Sequence, residues 1–138
     1  MTPYPTVIPM IAYENGVQTM EWLCNAFGFT ERTRWLDDAG RLTHGELTLG
    51  DGVIILASPT PDYQSPSHHR QHCEAAAAWS LVPYIIDGVL VYVQDIRSHF
   101  DNAVAAGARI LSAIETGGPG MRYRAEDPEG HRWMFMQR

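Results

Sequence analysis

The order of strands and helices predicted for this chain occurs twice, and few folds accommodate such a repeat. In the second half, a short apolar run at residues 89–93 precedes helical spacing at 95–106 and a strand at 109–115. A hairpin follows, because Asp-Pro-Glu-Gly at 127–130 is a turn signal between two runs rich in large apolar residues. The order is therefore strand, helix and three strands, a βαβββ module.

The first half of the chain repeats this order. A helix is predicted at residues 17–27, where Gly28 ends the apolar spacing. Strands are predicted before and after this helix, at residues 6–12, 31–36, 42–49 and 53–57. We therefore predict an α+β protein with two tandem βαβββ modules.

The connector between the modules is long for a compact domain. Residues 74–79, in its second half, are predicted to be helical because alanine favours helix. The length of the chain fits a single domain covering residues 1–138. Module one covers about 6–57, the connector 58–87 and module two about 88–138.

Four features together suggest a family. They are Tyr123 before the turn at 127–130, the helix-ending glycines Gly28 and Gly107, and the run at residues 42–56. In these features the chain resembles the vicinal oxygen chelate superfamily, which contains glyoxalase I, extradiol dioxygenases and the bleomycin-resistance proteins, and it is most similar to the bleomycin-resistance branch. The resemblance implies a concave, barrel-like mixed sheet with helices on its outer face, and a homodimer.

The resemblance also implies where a metal would bind. Metal-dependent members take four ligands from the first and last strands of each module, and these positions fall on Ile8, Ile55, Val89 and Met134. Three of these side chains have no lone pair to donate, and a thioether is at best a soft ligand. We therefore expect no metal site of the family type and no cofactor.

Strand pairing predicts which residues take the place of the metal. If Gly50 and Asp51 form a two-residue turn, Glu46 lies opposite Ile55, and His44 is on the same face. A three-residue turn would reverse this assignment. Glu46 and His44 are candidate catalytic residues, because a carboxylate and an imidazole two residues apart can act as a coupled acid and base.

The same construction applies to the second hairpin. A two-residue turn at Pro128 and Glu129 places Tyr123 opposite Met134, with Trp133 and Phe135 on the other face. The side chains expected in a ligand cavity are then mainly apolar, with a few polar groups, as is typical of small-molecule pockets. The predicted ligand-binding residues are Met10, His44, Glu46, Ile55, Val89, Val91, Met121, Tyr123, Arg132 and Met134, with Ile8, Val53 and Met136 also lining the cavity.

The charge of the chain excludes some partners. A net charge of -6 and a pI near 5.4, without a basic stripe, argue against nucleic acid or an anionic membrane. No apolar run approaches the roughly 18 residues of a membrane span, and the first residues lack the features of a signal peptide. The expected partner is a small molecule, and the expected location is the cytoplasm.

The cysteines and the connector histidines raise the possibility of a disulfide or a metal site. Cys24 falls in a predicted helix and Cys73 in the connector, so they do not form a disulfide framework. His68, His72 and Cys73 suggest zinc, because His68 and His72 would share a helix face. No second ligand cluster accompanies them, which favours a solvated helix start over a metal site.

Two classes of function follow from this pattern. The first is a metal-free protein that sequesters an aromatic or amphipathic molecule in an apolar cavity. The alternative is a glyoxalase- or dioxygenase-like enzyme with lyase or isomerase chemistry, which would use Glu46 and His44 or a metal site that the pattern does not reveal. Metal-dependent glyoxalase activity is not expected. A regulatory or scaffolding dimer would have no pocket.

Overall fold

The structure is a computed structural model that describes residues 3–85, 87–118 and 120–138. It divides into two compact units, Met1–Gln64 and Ser65–Arg138. The predicted connector is split between them, because residues 58–64 belong to unit 1 and residues 65–87 to unit 2. A single domain over the whole chain stays a prediction. None of the helices in the described residues is long and apolar enough to span a membrane.

Unit 1 is a βαβββ module, as predicted. Its elements are β1 (Met10–Ala12), α1 (Gly16–Phe27), β2 (Thr30–Leu36), β3 (Leu42–Leu49) and β4 (Gly52–Ala57). The sheet has the order β1-β4-β3-β2, in which β1 is parallel to β4 and the other pairs are antiparallel. The first strand begins at Met10 rather than residue 6. Pro5 and Pro9 have no N–H to donate to a neighbouring strand.

Helix α1 packs on one face of the unit 1 sheet. Met20, Leu23 and Phe27 are buried, and Gly28 ends the helix with a positive φ of 85°. Gly45 of β3 makes the close approach of Met20 possible, because a Cβ at this position would lie 2.5 Å from the Met20 Sδ. The residues on either side of Gly45 in β3, His44 and Glu46, therefore lie on the face of the sheet away from α1.

Unit 2 contains the second βαβββ module. The helices α2 (Pro66–His69) and α3 (Glu74–Trp79) precede it, and α3 confirms the predicted helix in the connector. The module consists of β5 (Gly88–Tyr92), α4 (Ile96–Ala105), β6 (Arg109–Glu115), β7 (Met121–Glu126) and β8 (Arg132–Gln137). Its sheet has the order β5-β8-β7-β6. The α+β class and the two tandem modules are confirmed, and neither four-stranded sheet closes on itself.

Glu126 ties the segment before β5 to the unit 2 sheet. Its buried carboxylate accepts two hydrogen bonds of 2.9 Å from Arg70 and further bonds from Arg109 and Arg132. Burial raises the pKa of Glu126, but the hydrogen bonds and positive charge of Arg70, with Arg109 and Arg132, lower it overall. The carboxylate is therefore charged near neutral pH and fixes three guanidinium groups.

Candidate functional site

The second hairpin differs from the prediction by one residue. Tyr123 lies opposite Phe135, and Arg124 lies opposite Met134. Because successive strand residues alternate between faces, this shift places Met121 and Tyr123 on the other face from Met134. The prediction that Met121 and Tyr123 lie on the same face as Met134 is therefore wrong. The prediction that Trp133 and Phe135 lie on the opposite face from Met134 is confirmed.

The side chain of Asp127 explains the longer turn. Its Oδ1 accepts hydrogen bonds from the backbone N–H groups of Glu129 and His131, and its Oδ2 accepts one from the Trp133 indole. The backbone N–H of Asp127 also donates to the His131 carbonyl at 3.0 Å. Asx-type capping of this kind leaves three residues, 128–130, in the turn between Asp127 and His131, one more than in a two-residue turn.

Tyr123 is a core residue. It is fully buried, its hydroxyl is 2.6 Å from His99 Nδ1 on α4, and its ring packs edge-on against Phe100. Burial raises its pKa. Tyr123 is therefore part of the packing between the sheet and α4.

In β5, the first strand of the module in unit 2, each side chain lies on the opposite face of the sheet from the one predicted. Val89 and Val91 lie beside Trp133 and Phe135, whereas Leu90 and Tyr92 lie beside Met134 and Met136. Val91 therefore belongs to the helix side of the sheet. Leu90 and Tyr92 take the places predicted for the valines, and both are about half exposed.

Three predicted residues, Val89, Arg132 and Met134, line a cleft in unit 2 of about 210 Å³. The hydrogen-bond donors of Arg132, however, bind groups of the protein itself. Its guanidinium donates to Glu126 and to the backbone carbonyls of Ser80, Val82 and Ile85. The buried carboxylate of Glu126 is its counterion.

The first hairpin has the predicted register. Gly50 and Asp51 form the turn, since Leu49 pairs with Gly52 and Glu46 lies opposite Ile55. In β1, Met10 lies beside Ile55. We call the side of the unit 1 sheet away from α1 the distal face. It carries Met10, Arg32, Trp35, His44, Glu46 and Ile55, and the side chain of Tyr4 lies against it.

Glu46 is the centre of a polar cluster on the distal face. It is only 5% exposed, and its Oε2 is 2.6 Å from His44 Nε2. Its Oε1 accepts a hydrogen bond of 2.8 Å from the Tyr4 hydroxyl and lies 3.5 Å from Arg32 Nε. The proximity of Glu46 to His44 was predicted, whereas Tyr4 and Arg32 were not.

A β-bulge positions Arg32. Glu31 pairs with Leu47 and Thr33 with Glu46, so Arg32 is an extra residue in β2. Its side chain is 7% exposed and its guanidinium stacks on the Tyr4 ring at 4.0 Å from the centroid. Within the described residues, Arg32 Nε and Nη1 have no hydrogen-bond acceptor. The bulge leaves no clear mark in the sequence, which is why Arg32 was missed.

Large apolar side chains surround this cluster. Met10 is 78% exposed and Trp35 62% exposed, and the Trp35 ring is 4.9 Å from that of His44. Exposed aromatic and thioether groups beside a buried polar cluster provide area for stacking and a few groups for orientation.

The acid stability of the protein depends in part on Glu46. Its hydrogen bond with His44 lowers the pKa below the ordinary 4.5, an effect that burial opposes and Tyr4 supports. A lowered pKa contributes stability above about 4.5 that is lost as the pH falls through the folded-state value. We expect the difference in unfolding free energy between the wild type and Glu46→Gln to shrink below this pH. Urea unfolding from about pH 7 to about pH 3 measures it, and a constant difference would contradict the assignment.

The residues at the expected metal positions do not fit a metal. Ile8, Ile55 and Val89 offer no donor atom, and the thioether of Met134 lies beside Leu90. The His68 and His72 rings are 5.5 Å apart, but α2 ends at His69, so the two side chains do not share a helix face as predicted. Across residues 3–85, 87–118 and 120–138, no three His, Cys, Asp or Glu side chains form a group that could hold a metal ion.

Comparisons with known proteins agree with the fold. A family model described as the glyoxalase/bleomycin resistance protein/dioxygenase superfamily matches residues 10–135. An uncharacterised protein of Mycobacterium bovis is 25% identical over 96% of this chain and 83% of its own length.

Two solved structures illustrate the structural similarity. TioX from Micromonospora sp. ML1 has a TM-score of 0.69 and 25% identity, covering 97% of this chain and 96% of its own. TnmS3 from Streptomyces sp. CB03234, described as an antibiotic binding protein, has a TM-score of 0.64 and 13% identity, with 96% of each chain covered.

Proposed function

The chain belongs to the glyoxalase/bleomycin resistance protein/dioxygenase superfamily, and from this we propose that it binds a small aromatic or amphipathic molecule on the distal face of unit 1, without a metal. One observation carries the proposal. Met10 and Trp35 present large exposed apolar side chains on the same sheet face as the buried Glu46–His44 pair. Apolar surface around a few fixed polar groups is the composition of a ligand site.

The family supports this proposal. TnmS3 demonstrates that the same fold serves an antibiotic binding protein, although its 13% identity extends only to the fold. The donor-poor side chains at the expected metal positions, such as Ile55, favour binding that does not depend on a metal. Sequestration of the ligand is therefore the simplest role. A homodimer and a cytoplasmic location stay predictions from the sequence.

The enzyme alternative rests on His44 and Glu46. Their separation of 2.6 Å is the distance at which a proton can be exchanged between them. The lowered pKa of Glu46 makes this carboxylate a weak base, however, which favours a role in orienting a ligand over one in removing a proton. Catalysis would appear as turnover that Glu46→Gln abolishes, whereas a binding protein would retain the bound molecule unchanged.

Trp35 provides the test of the binding site. N-phenylnaphthylamine is an uncharged aromatic probe whose fluorescence rises in an apolar environment. We expect Trp35→Ala to raise its dissociation constant about tenfold, because the ring supplies stacking area worth about 1.5 kcal/mol. The wild type should bind the probe equally well with and without EDTA.

Trp79→Ala is the matched control. Trp79 is 45% exposed but lies in α3 of unit 2, so its removal should leave the affinity for the probe unchanged. Equal losses in Trp35→Ala and Trp79→Ala would show that the probe adheres to exposed tryptophan in general. Loss of binding in EDTA would contradict the metal-free proposal.

A further inference from the structure

Tyr4 fills a place on the distal face in the way that a ligand would. Residues 3–9 have no regular secondary structure, and Tyr4 is 56% exposed. Nevertheless, it makes two specific contacts with groups that are almost completely buried. Its hydroxyl donates to Glu46, and its ring stacks on the Arg32 guanidinium.

From these contacts we infer that the distal face of unit 1 carries a subsite for a hydroxyaromatic ring, which Tyr4 of the same chain occupies until a ligand displaces it. This inference rests on the proposed function and specifies its ligand class. Glu46 would accept the ligand hydroxyl in place of the Tyr4 hydroxyl, and Arg32 would stack on the ligand ring.

The charges of the cluster favour a phenol over other aromatic groups. The Glu46 carboxylate is ionised near neutral pH and accepts hydrogen bonds only, so its ligand partner must be a donor. A cationic ring would be repelled by Arg32, and an aromatic carboxylate would be repelled by Glu46. A neutral ring with a hydroxyl satisfies both side chains.

Arg32 indicates that Tyr4 is an incomplete occupant. A guanidinium donates its hydrogen bonds in its own plane, whereas the Tyr4 ring covers its face. The ring therefore supplies no acceptor. Within the described part of the chain, Nη1 has no hydrogen-bond acceptor, and Nε has only the ion-pair contact of 3.5 Å with Glu46 Oε1, which is too long for a hydrogen bond. Buried donors without partners are unfavourable, and a ligand with an oxygen beside its hydroxyl would supply the missing acceptor.

Displacement has a measurable consequence. When an internal group occupies a site for most of the time, the apparent affinity for a ligand is reduced by the fraction of protein in which the site is free. If Tyr4 covers the subsite in about nine molecules out of ten, its removal raises the affinity about tenfold. The residue is well suited to exchange because it belongs to an irregular segment rather than to the sheet.

The experiment compares naphthol with naphthalene, which lacks only the hydroxyl, as competitors of N-phenylnaphthylamine. For the wild type, we expect naphthol to compete about tenfold more strongly than naphthalene, through its hydrogen bond to Glu46. In Tyr4→Ala, the affinity for naphthol should rise about tenfold. Tyr84→Ala is the matched control, because Tyr84 is 75% exposed and lies in unit 2.

The outcomes separate the two proposals. Equal competition by naphthol and naphthalene in the wild type would overturn the inference, and this comparison requires no variant to fold. An unchanged or weaker affinity for naphthol in Tyr4→Ala would also overturn it. If Trp35→Ala has no effect on N-phenylnaphthylamine, the proposed binding face itself is wrong.

Discussion

Glu126→Gln is expected to lower the free energy of unfolding by about 3–5 kcal/mol, because it removes the charge that balances a buried arginine. Glu126 is 1% exposed and Arg132 4% exposed. The Arg132 Nε and Nη2 atoms lie 3.0 and 2.9 Å from the same carboxylate oxygen. Without Glu126, the Arg132 guanidinium would stay buried without its counterion.

The effect extends to the segment before β5. Arg132 also donates to the carbonyls of Ser80 and Val82, and Arg70 binds both oxygens of Glu126. These bonds hold residues 70–85 against β7 and β8. We therefore expect Glu126→Gln to increase amide exchange in this segment more than in α4.

Glu115→Gln is the control for the prediction on Glu126. Glu115 also pairs with two arginines, Arg122 at 3.6 Å and Arg124 at 3.8 Å, but its side chain is 46% exposed. Solvent screens such pairs, so the expected loss is about 0–1 kcal/mol. Urea unfolding of both variants provides the comparison. Similar losses would mean that the cluster around Glu126 contributes no more than a surface ion pair.

Gly130→Ala is expected to lower the free energy of unfolding by about 2–5 kcal/mol, because two separate costs add at this position. Gly130 has a φ of +87°, which is unfavourable for any residue with a Cβ. An added Cβ would also lie 2.7 Å from the backbone nitrogen of Ser67, whose N–H donates to the Glu129 carbonyl. The turn and the start of α2 would have to separate.

Gly107→Ala distinguishes the two costs. Gly107 has nearly the same φ, +89°, but an added Cβ meets no atom within 4 Å. Only the backbone cost remains, about 1–2 kcal/mol. Thermal or urea unfolding should therefore rank the variants clearly, with Gly130→Ala the less stable. Equal stability would contradict the close packing between the turn and α2.

The fold could be predicted from the sequence because its signals are local. Alternation in β3 and the Gly50–Asp51 turn fixed both the strand and its register, and the structure agrees with both. The predicted register of the second hairpin was wrong for an equally local reason, but one that a residue pattern does not show. The Asp127 carboxylate binds two backbone N–H groups and lengthens the turn by one residue. Because of the longer turn, Met121 and Tyr123 lie on the opposite face of the sheet from the one predicted.

The sequence predicted only two of the four polar residues in the cluster around Glu46. Glu46 and His44 are two residues apart on one strand, so alternation placed them together. Tyr4 reaches Glu46 across 42 positions of the chain, from a segment without periodic pattern. Arg32 belongs to the site because of a β-bulge, and no residue type in β2 predicts that bulge. Contacts of this kind depend on tertiary structure, and a single sequence contains no signal for them.

A small aromatic molecule is expected to bind to the distal face of unit 1 without a metal. Amide chemical-shift mapping by NMR, with N-phenylnaphthylamine added in the presence of EDTA, would locate the bound molecule. We predict that the shifts concentrate at Met10, Trp35, His44 and Ile55. Shifts concentrated instead at the unit 2 cleft around Leu90 and Met134, or no shifts until a divalent metal is supplied, would contradict the claim.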